Sequence, residues 1–274
     1  MNQDIVFIGA GNMAGALIGG LIADGMAPDR ILAADPSAEK CAALSAATGI
    51  RTLSDNVAAA ANAGTLVLAV KPQVLAKVAR ELATTVQDRR PLVISIAAGI
   101  RCDSLQSWLG GGAALVRAMP NTPALVQSGA TALYATPGVS GRQREQAESL
   151  LRAVGITCWL EDESLMDAVT ALSGSGPAYF FQVMEALENG ARAMGIDQAT
   201  AHLLTLQTAL GAARMALESS EPPGILRERV TSPGGTTEKA LGVLRDGGLE
   251  ALLTRALDAA RARSVELSRD LGGS

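Results

Sequence analysis

The sequence predicts an α/β fold, with an amino-terminal dinucleotide-binding half of alternating strands and helices followed by an all-α carboxy-terminal half. Three observations predict it. The short apolar run Ile5-Val-Phe-Ile8 leads into Gly9-Ala-Gly11-Asn-Met-Ala14-Gly15 and then the helical run Ala16–Ala23, which reads as strand, glycine turn and helix. Thr65-Leu-Val-Leu-Ala-Val70 and Leu92-Val-Ile-Ser-Ile-Ala97 are continuous apolar runs, as parallel strands covered on both faces require. From about Ser164 onward such runs vanish and the apolar period becomes helical. The composition agrees: aromatic residues make up only 3% of the 274 while Ala, Gly and Leu dominate, which suits closely packed helices more than a β-sandwich.

Taken in order, the first unit is Rossmann-type. Gly9 permits the tight turn, Gly11 lets backbone approach a pyrophosphate, and Ala14 keeps the helix close to the strand. A second strand, Ile31-Leu-Ala-Ala-Asp35, ends on an acid where an adenine ribose would be bound, which favours NAD. Asp35 also precedes Pro36, and Asp-Pro opens turns without touching any ribose. Helical stretches Val57–Ala63 and Val74–Thr84 complete the alternation. Ligands of such sheets bind at the carboxyl ends of strands, placing Lys71-Pro72 and Ala97-Ala-Gly99 beside a cofactor; Lys71 alternatively is a solvated strand-end charge. After the strand Ala114-Leu-Val-Arg-Ala118, two prolines make Met119-Pro-Asn-Thr-Pro123 a rigid loop lining the same cleft.

The boundary falls at Glu163, giving residues 1–163 for dinucleotide binding and 164–274 for a helical substrate and dimerisation domain. Ser173-Gly-Ser-Gly-Pro-Ala-Tyr179 opens a helix Ala178–Met194 that Gly195 ends, and Asp197 caps the next, Gln198–Glu218. Ala201, Ala209, Leu203, Leu206 and Leu210 leave that second helix little polar face, so it needs cover beyond one chain, which a homodimer supplies. Helices Thr237–Arg245 and Leu249–Leu271 follow, separated by Asp246-Gly-Gly248. The single histidine, His202, lies in the apolar run and reads as a core or interface residue. Cys41, Cys102 and Cys158 lack redox or metal-ligand spacing and read as mostly buried thiols in a reducing compartment, with no metal site. A net charge of −4 with no block of Lys or Arg argues against nucleic acid or a membrane surface as partner and for a small molecule. No apolar run reaches membrane-spanning length, so a cytoplasmic protein is expected.

The segment Arg229-Val-Thr-Ser-Pro-Gly-Gly-Thr-Thr-Glu238 carries the most chemistry. Gly234 and Gly235 would let backbone amides approach a ligand, and Thr236 and Thr237 stand where a new helix presents unsatisfied N–H groups, a fit for a small carboxylate. An ordinary capping arrangement ending on Glu238 explains the same residues. Without a His, Cys or paired acid arranged for catalysis, a reaction driven by its cofactor fits best.

Five motifs in order resemble bacterial pyrroline-5-carboxylate reductases end to end: Phe7–Ala14, Val70-Lys-Pro72, Met119–Pro123, Leu172–Tyr179 and Ser232–Thr237. The resemblance implies a Rossmann domain, a helical dimerisation domain, dimers that can assemble into rings of five, and NADPH as the usual donor. Carried over, cofactor contacts fall on Ile8, Gly9, Ala10, Gly11, Asn12, Met13, Asn56, Ala69, Val70, Lys71, Pro72 and Ala97, to which the strand-end reading adds Asp35. Substrate contacts fall on Glu163, Val230, Gly235, Thr236 and Thr237, with Thr237 donating to the ring nitrogen; Glu163 reads equally as a helix-start acid helped by the dipole. Members that favour NADPH commonly carry a small hydroxyl or amide residue where this chain has Asp35, so NAD stays open unless Asp35 turns away and Ser37 or Lys40 makes the phosphate contact. Two rivals are a 3-hydroxyacid dehydrogenase, which relies on a lysine absent from Ala178–Met194, and a non-catalytic nucleotide-sensing module.

Overall fold

The computed structural model describes residues 4–272. The chain divides into two compact units, one of the residues up to Ser175 together with those from Ala259 onward, the other Gly176–Asp258. The first unit is built as β1 (Asp4–Ile8), α1 (Asn12–Ala23), β2 (Ile31–Ala34), α2 (Ala38–Thr48), β3 (Arg51–Leu53), α3 (Asn56–Ala60), β4 (Ala63–Leu68), α4 (Pro72–Arg89), β5 (Leu92–Ser95), α5 (Cys102–Trp108), β6 (Ala114–Met119), β7 (Gly129–Ala135), α6 (Gly141–Arg152), β8 (Gly155–Trp159) and the short α7 (Met166–Val169). The strands form one sheet in the order β3-β2-β1-β4-β5-β6-β7-β8. All neighbours pair parallel except β6 and β7, which run antiparallel.

Helices on both faces explain why β4 and β5 read as unbroken apolar runs: every residue of each is buried. On one face Leu75, Ala79, Leu82 and Val86 of α4 join Leu105 and Trp108 of α5. On the other, Leu17, Ile18 and Leu21 of α1 meet Leu44 of α2 and Leu150 and Leu151 of α6. Each large aliphatic side chain so buried contributes about 1.5–3 kcal/mol. The approach of α1 to the turn before β8 is close enough that a Cβ on Gly20 would lie 2.7 Å from the Ala153 carbonyl oxygen.

The expected elements are present with shifted ends; the helix expected over Val57–Ala63 stops at Ala60, because Ala63 already pairs with Asp4 in the sheet. Unforeseen in this unit are the strands β3, β7 and β8 and the helices α2, α5, α6 and α7. β3 is three residues long and has no buried position, so no period announces it. α6 buries only Ala147, Leu150 and Leu151, but Ser140 and Gln143 form a reciprocal capping box that marks its start.

The expected boundary after Glu163 differs from the division at Ser175. Three contacts hold Glu163 and the segment after it to the sheet unit. Glu163 Oε1 accepts from Arg117 Nη1 at 2.8 Å, the buried Asp167 accepts from Ser264 Oγ at 2.7 Å, and Asn121 Nδ2 donates to the Ser173 carbonyl at 3.2 Å. The change of period marks where helices begin, which is not where contacts to the sheet end.

The second unit comprises α8 (Gly176–Ala193), α9 (Gln198–Glu218), α10 (Pro223–Arg229), α11 (Thr236–Asp246) and the first part of α12 (Leu249–Gly272). Gly195, at φ +96°, follows the end of α8, and the Asp197 side chain caps α9 by accepting from the Thr200 amide. Helices α8 and α9 pack on one another, yet Phe180, Phe181, Leu187, Leu203 and Leu210 stay exposed. His202 is not in a core: its ring is exposed, with Nδ1 2.8 Å from Glu188 Oε1. The cysteines are mostly buried as expected: Cys41 and Cys102 are buried, and Cys158, on the sheet-edge strand β8, is exposed. Among the described residues no helix is long and apolar enough to cross a membrane.

Candidate active site

The strand order reverses between β1 and β4, and a cleft of about 570 Å³ opens at their carboxyl ends. Gly9, Gly11, Asp35, Asn56, Ala69, Val70 and Lys71 line it together, seven of the residues expected from sequence. Gly9 is required by the close approach of the two strands: its φ is +110° and an added Cβ would stand 2.7 Å from the Ala69 carbonyl oxygen. Gly11 differs, because a Cβ there would meet nothing within 4 Å and would project into open space. It is also the N-cap of α1 with no side chain capping the helix, so the first-turn amides face the loop unsatisfied. Asn56 Oδ1 is buried with no hydrogen-bond partner. A cradle of uncapped amides, a glycine with room beside it and an orphaned acceptor fit a dinucleotide.

Of the other expected residues, Ala10, Asn12 and Met13 continue the loop into α1 and Pro72 begins α4. Ile8 and Ala97 are buried, and Ile8 acts through its carbonyl, which accepts from the Ala69 amide at 2.8 Å. Sequence reasoning missed Ser54, Val74, Lys77, Val78 and Glu81, which also line the cleft. For Val74, Val78 and Glu81 the signal was the helical spacing 71, 74, 78, 81 running on from Lys71. Asp35 is buried and accepts from two backbone amides, Ala10 N–H on Oδ2 at 3.0 Å and Ser37 N–H on Oδ1 at 2.9 Å.

In the second unit the turn between α10 and α11 presents a second set of open amides. Gly234, at φ +73°, is needed by the turn, and a Cβ on Gly235 would stand 2.9 Å from the Ser232 carbonyl oxygen. Both glycines therefore answer to the chain's own path, a local reason that the sequence reading assigned to a ligand. The Glu238 carboxylate reaches back to the Gly234 amide at 2.8 Å, so it closes half of a capping arrangement. Gly235 is the N-cap and offers no side chain, so the amides of Thr236 and Thr237 in the first turn stay open. The Thr237 side chain is half-buried and Thr236 and Val230 are exposed.

Glu163 opens a single 3₁₀ turn, Glu163–Leu165, but the residue that caps it is Asp162, which accepts from the Ser164 amide. Glu163 instead turns inward, where its Oε1 accepts from both Arg117 Nη1 and the Cys102 amide at 2.8 Å. Burial, aided by the Glu163 charge, pushes the Cys102 thiol far above its ordinary range. A disulfide-exchange reagent near neutral pH should therefore titrate one fast thiol, Cys158, and all three after unfolding; a second fast thiol would contradict this burial pattern.

The comparisons with known proteins follow this geometry. A pyrroline-5-carboxylate reductase of Pseudomonas aeruginosa is 52% identical over 268 residues, covering 98% of each chain. The chain belongs to the pyrroline-5-carboxylate reductase family. A family model described as pyrroline-5-carboxylate reductase dimerisation matches residues 163–267, and one described as NADP oxidoreductase, coenzyme F420-dependent, matches residues 4–99. Among solved structures, the pyrroline-5-carboxylate reductase of Coxiella burnetii aligns at a TM-score of 0.94 with 47% identity, covering 98% of this chain and 99% of that one. The Plasmodium falciparum pyrroline carboxylate reductase, solved with NADP bound, aligns at 0.87 with 27% identity, covering 97% and 98%. The chain thus joins the family's helical dimerisation module to a Rossmann unit in the order expected of a pyrroline-5-carboxylate reductase.

Proposed function

We propose that this chain reduces the C=N bond of 1-pyrroline-5-carboxylate to L-proline, the last step of proline biosynthesis, with NADPH as its preferred donor. The observation that carries this reading is the end-to-end likeness to the Pseudomonas aeruginosa pyrroline-5-carboxylate reductase. Bound in the β1–β4 cleft, the nicotinamide cofactor supplies a hydride to the imine carbon. The loop Gly9–Met13 and the open first turn of α1 hold the pyrophosphate. Asn56, with its orphaned acceptor, takes a donor of the nucleotide, and Ala69–Pro72 and Ala97 border its path.

The substrate's carboxylate is neutralised by the open amides of Thr236 and Thr237, with Gly235 and Val230 completing the turn. The Thr237 hydroxyl donates to the ring nitrogen and fixes which face meets the hydride. Because a cyclic imine is readily protonated from solvent, the nitrogen gains its proton without a dedicated side-chain acid, and the Thr237 hydroxyl passes or stabilises that proton. Glu163 contributes as a frame, since the oxygen it turns inward is already engaged by Arg117 and Cys102. Purified protein mixed with 1-pyrroline-5-carboxylate and either NADPH or NADH should consume the reduced cofactor; oxidation of neither would overturn the reading. Tight cofactor binding without imine-dependent oxidation would favour a sensing module instead. A lysine-dependent hydroxyacid dehydrogenase has no support, because α8 contains none.

Residues 164–274 form the dimerisation and substrate domain of this reading, working as a homodimer that can associate further into a ring of five dimers in the cytoplasm. The exposed apolar side chains of α8 and α9 support a second copy as their cover. Leu210→Glu, which puts a carboxylate on that face, should reduce the sedimenting mass toward that of one chain. An unchanged mass would remove α9 from the interface.

A further inference from the structure

Asp35 stands where an acid commonly selects NAD by binding the ribose hydroxyls, and its geometry argues otherwise. Its carboxylate is buried, and each oxygen is engaged by a backbone amide: Oδ2 by Ala10, one residue past Gly9, and Oδ1 by Ser37, the N-cap of α2. Two further bonds hold the same residue by its backbone, since the Asp35 amide donates to the Leu53 carbonyl and the Cys41 Sγ donates to the Asp35 carbonyl. Asp35 therefore ties the glycine turn after β1 to the end of β2 and the start of α2. Beside it, the exposed Lys40 places Nζ 3.6 Å from Asp35 Oδ2 and lines the same cleft.

We propose that Asp35 is a clasp for the glycine turn and does not discriminate between cofactors, and that Lys40 is the residue that sets the preference for a 2′-phosphate. This rests on the cofactor reading of the cleft given above. A carboxylate with both oxygens turned to amides and a lysine at its shoulder presents the approaching phosphate with a cation in front and a partly neutralised anion behind. The Lys40 amide is held by the Ser37 hydroxyl, and its ammonium, on an exposed stem, has Asp35 at the cleft wall as its partner at 3.6 Å. One charge-assisted contact of this kind corresponds to about tenfold in affinity or more.

The test is calorimetric titration of NADPH and NADH into the wild-type chain, Lys40→Met and Asp35→Asn, with no imine present. Lys40→Met should lower the NADPH-to-NADH affinity ratio about tenfold or more. Asp35→Asn replaces one acceptor with a donor facing an amide, so it should weaken both cofactors together, leave their ratio within about twofold, and lower the thermal midpoint of the free protein. A ratio that rises tenfold toward NADPH in Asp35→Asn would overturn the proposal alone, because it would make the carboxylate the selector. An unchanged ratio in Lys40→Met would likewise overturn it. Binding of neither cofactor to the wild-type chain would overturn the cleft reading and the proposal with it.

Discussion

Thr237→Ala should lower kcat/KM for 1-pyrroline-5-carboxylate about 10²-fold, the scale found when one preorganised donor is removed from a reacting centre, while NADPH affinity stays within about twofold. The argument is positional. Thr237 lies in the first turn of α11, two residues past a glycine N-cap that offers no side chain, and its hydroxyl rides on the same turn that presents the open amides. Removing the hydroxyl leaves the backbone amides in place, so carboxylate binding survives and the loss concentrates in kcat. Thr237→Ser, which keeps the donor, should retain most of the activity. Turnover unchanged in Thr237→Ala would end the assignment of the nitrogen contact to this side chain.

Arg117→Met should destabilise the sheet unit by about 1–3 kcal/mol, because the half-buried Glu163 carboxylate loses its charged partner. Arg117 sits on β6 with its side chain 3% exposed, against 19% for Glu163. Without the guanidinium, Glu163 keeps only the Cys102 amide on the engaged oxygen. The double variant Arg117→Met with Glu163→Leu should recover a large part of the loss, because it removes both charges and the desolvation they carry. Urea unfolding followed by circular dichroism measures all three proteins. A loss below about 1 kcal/mol for the single variant would mean the pair behaves as a solvent-screened contact and does not tie the segment after β8 to the sheet.

The nucleotide cleft was legible from sequence where chemistry and local conformation coincide. Gly9 is forced by a positive φ and by the Ala69 carbonyl, and a glycine between a strand and a helix announces that need. The buried strands were legible because both faces are covered, which leaves no polar alternation to confuse the reading. β8 and β3 were not, since neither edge strand has a fully buried position to mark an apolar run. Val74, Lys77 and Glu81 went unnoticed because the α4 face that borders the cleft lies beside the face that fills the core, and the apolar period announces only the latter.

The sequence by itself determined the buried strands with their alternating helices, the glycine turn after β1, the Asp197 cap and the family, because each depends on residues near one another in the chain or on motifs kept in register. Only the tertiary structure decided what the acids do. Asp35 became a clasp through an amide 25 residues away, and Glu163 a half-buried partner of the buried Arg117 across 46 residues. A carboxylate's role is set by whichever donors the fold brings within hydrogen-bond reach, and that proximity is not a property of its neighbours in sequence.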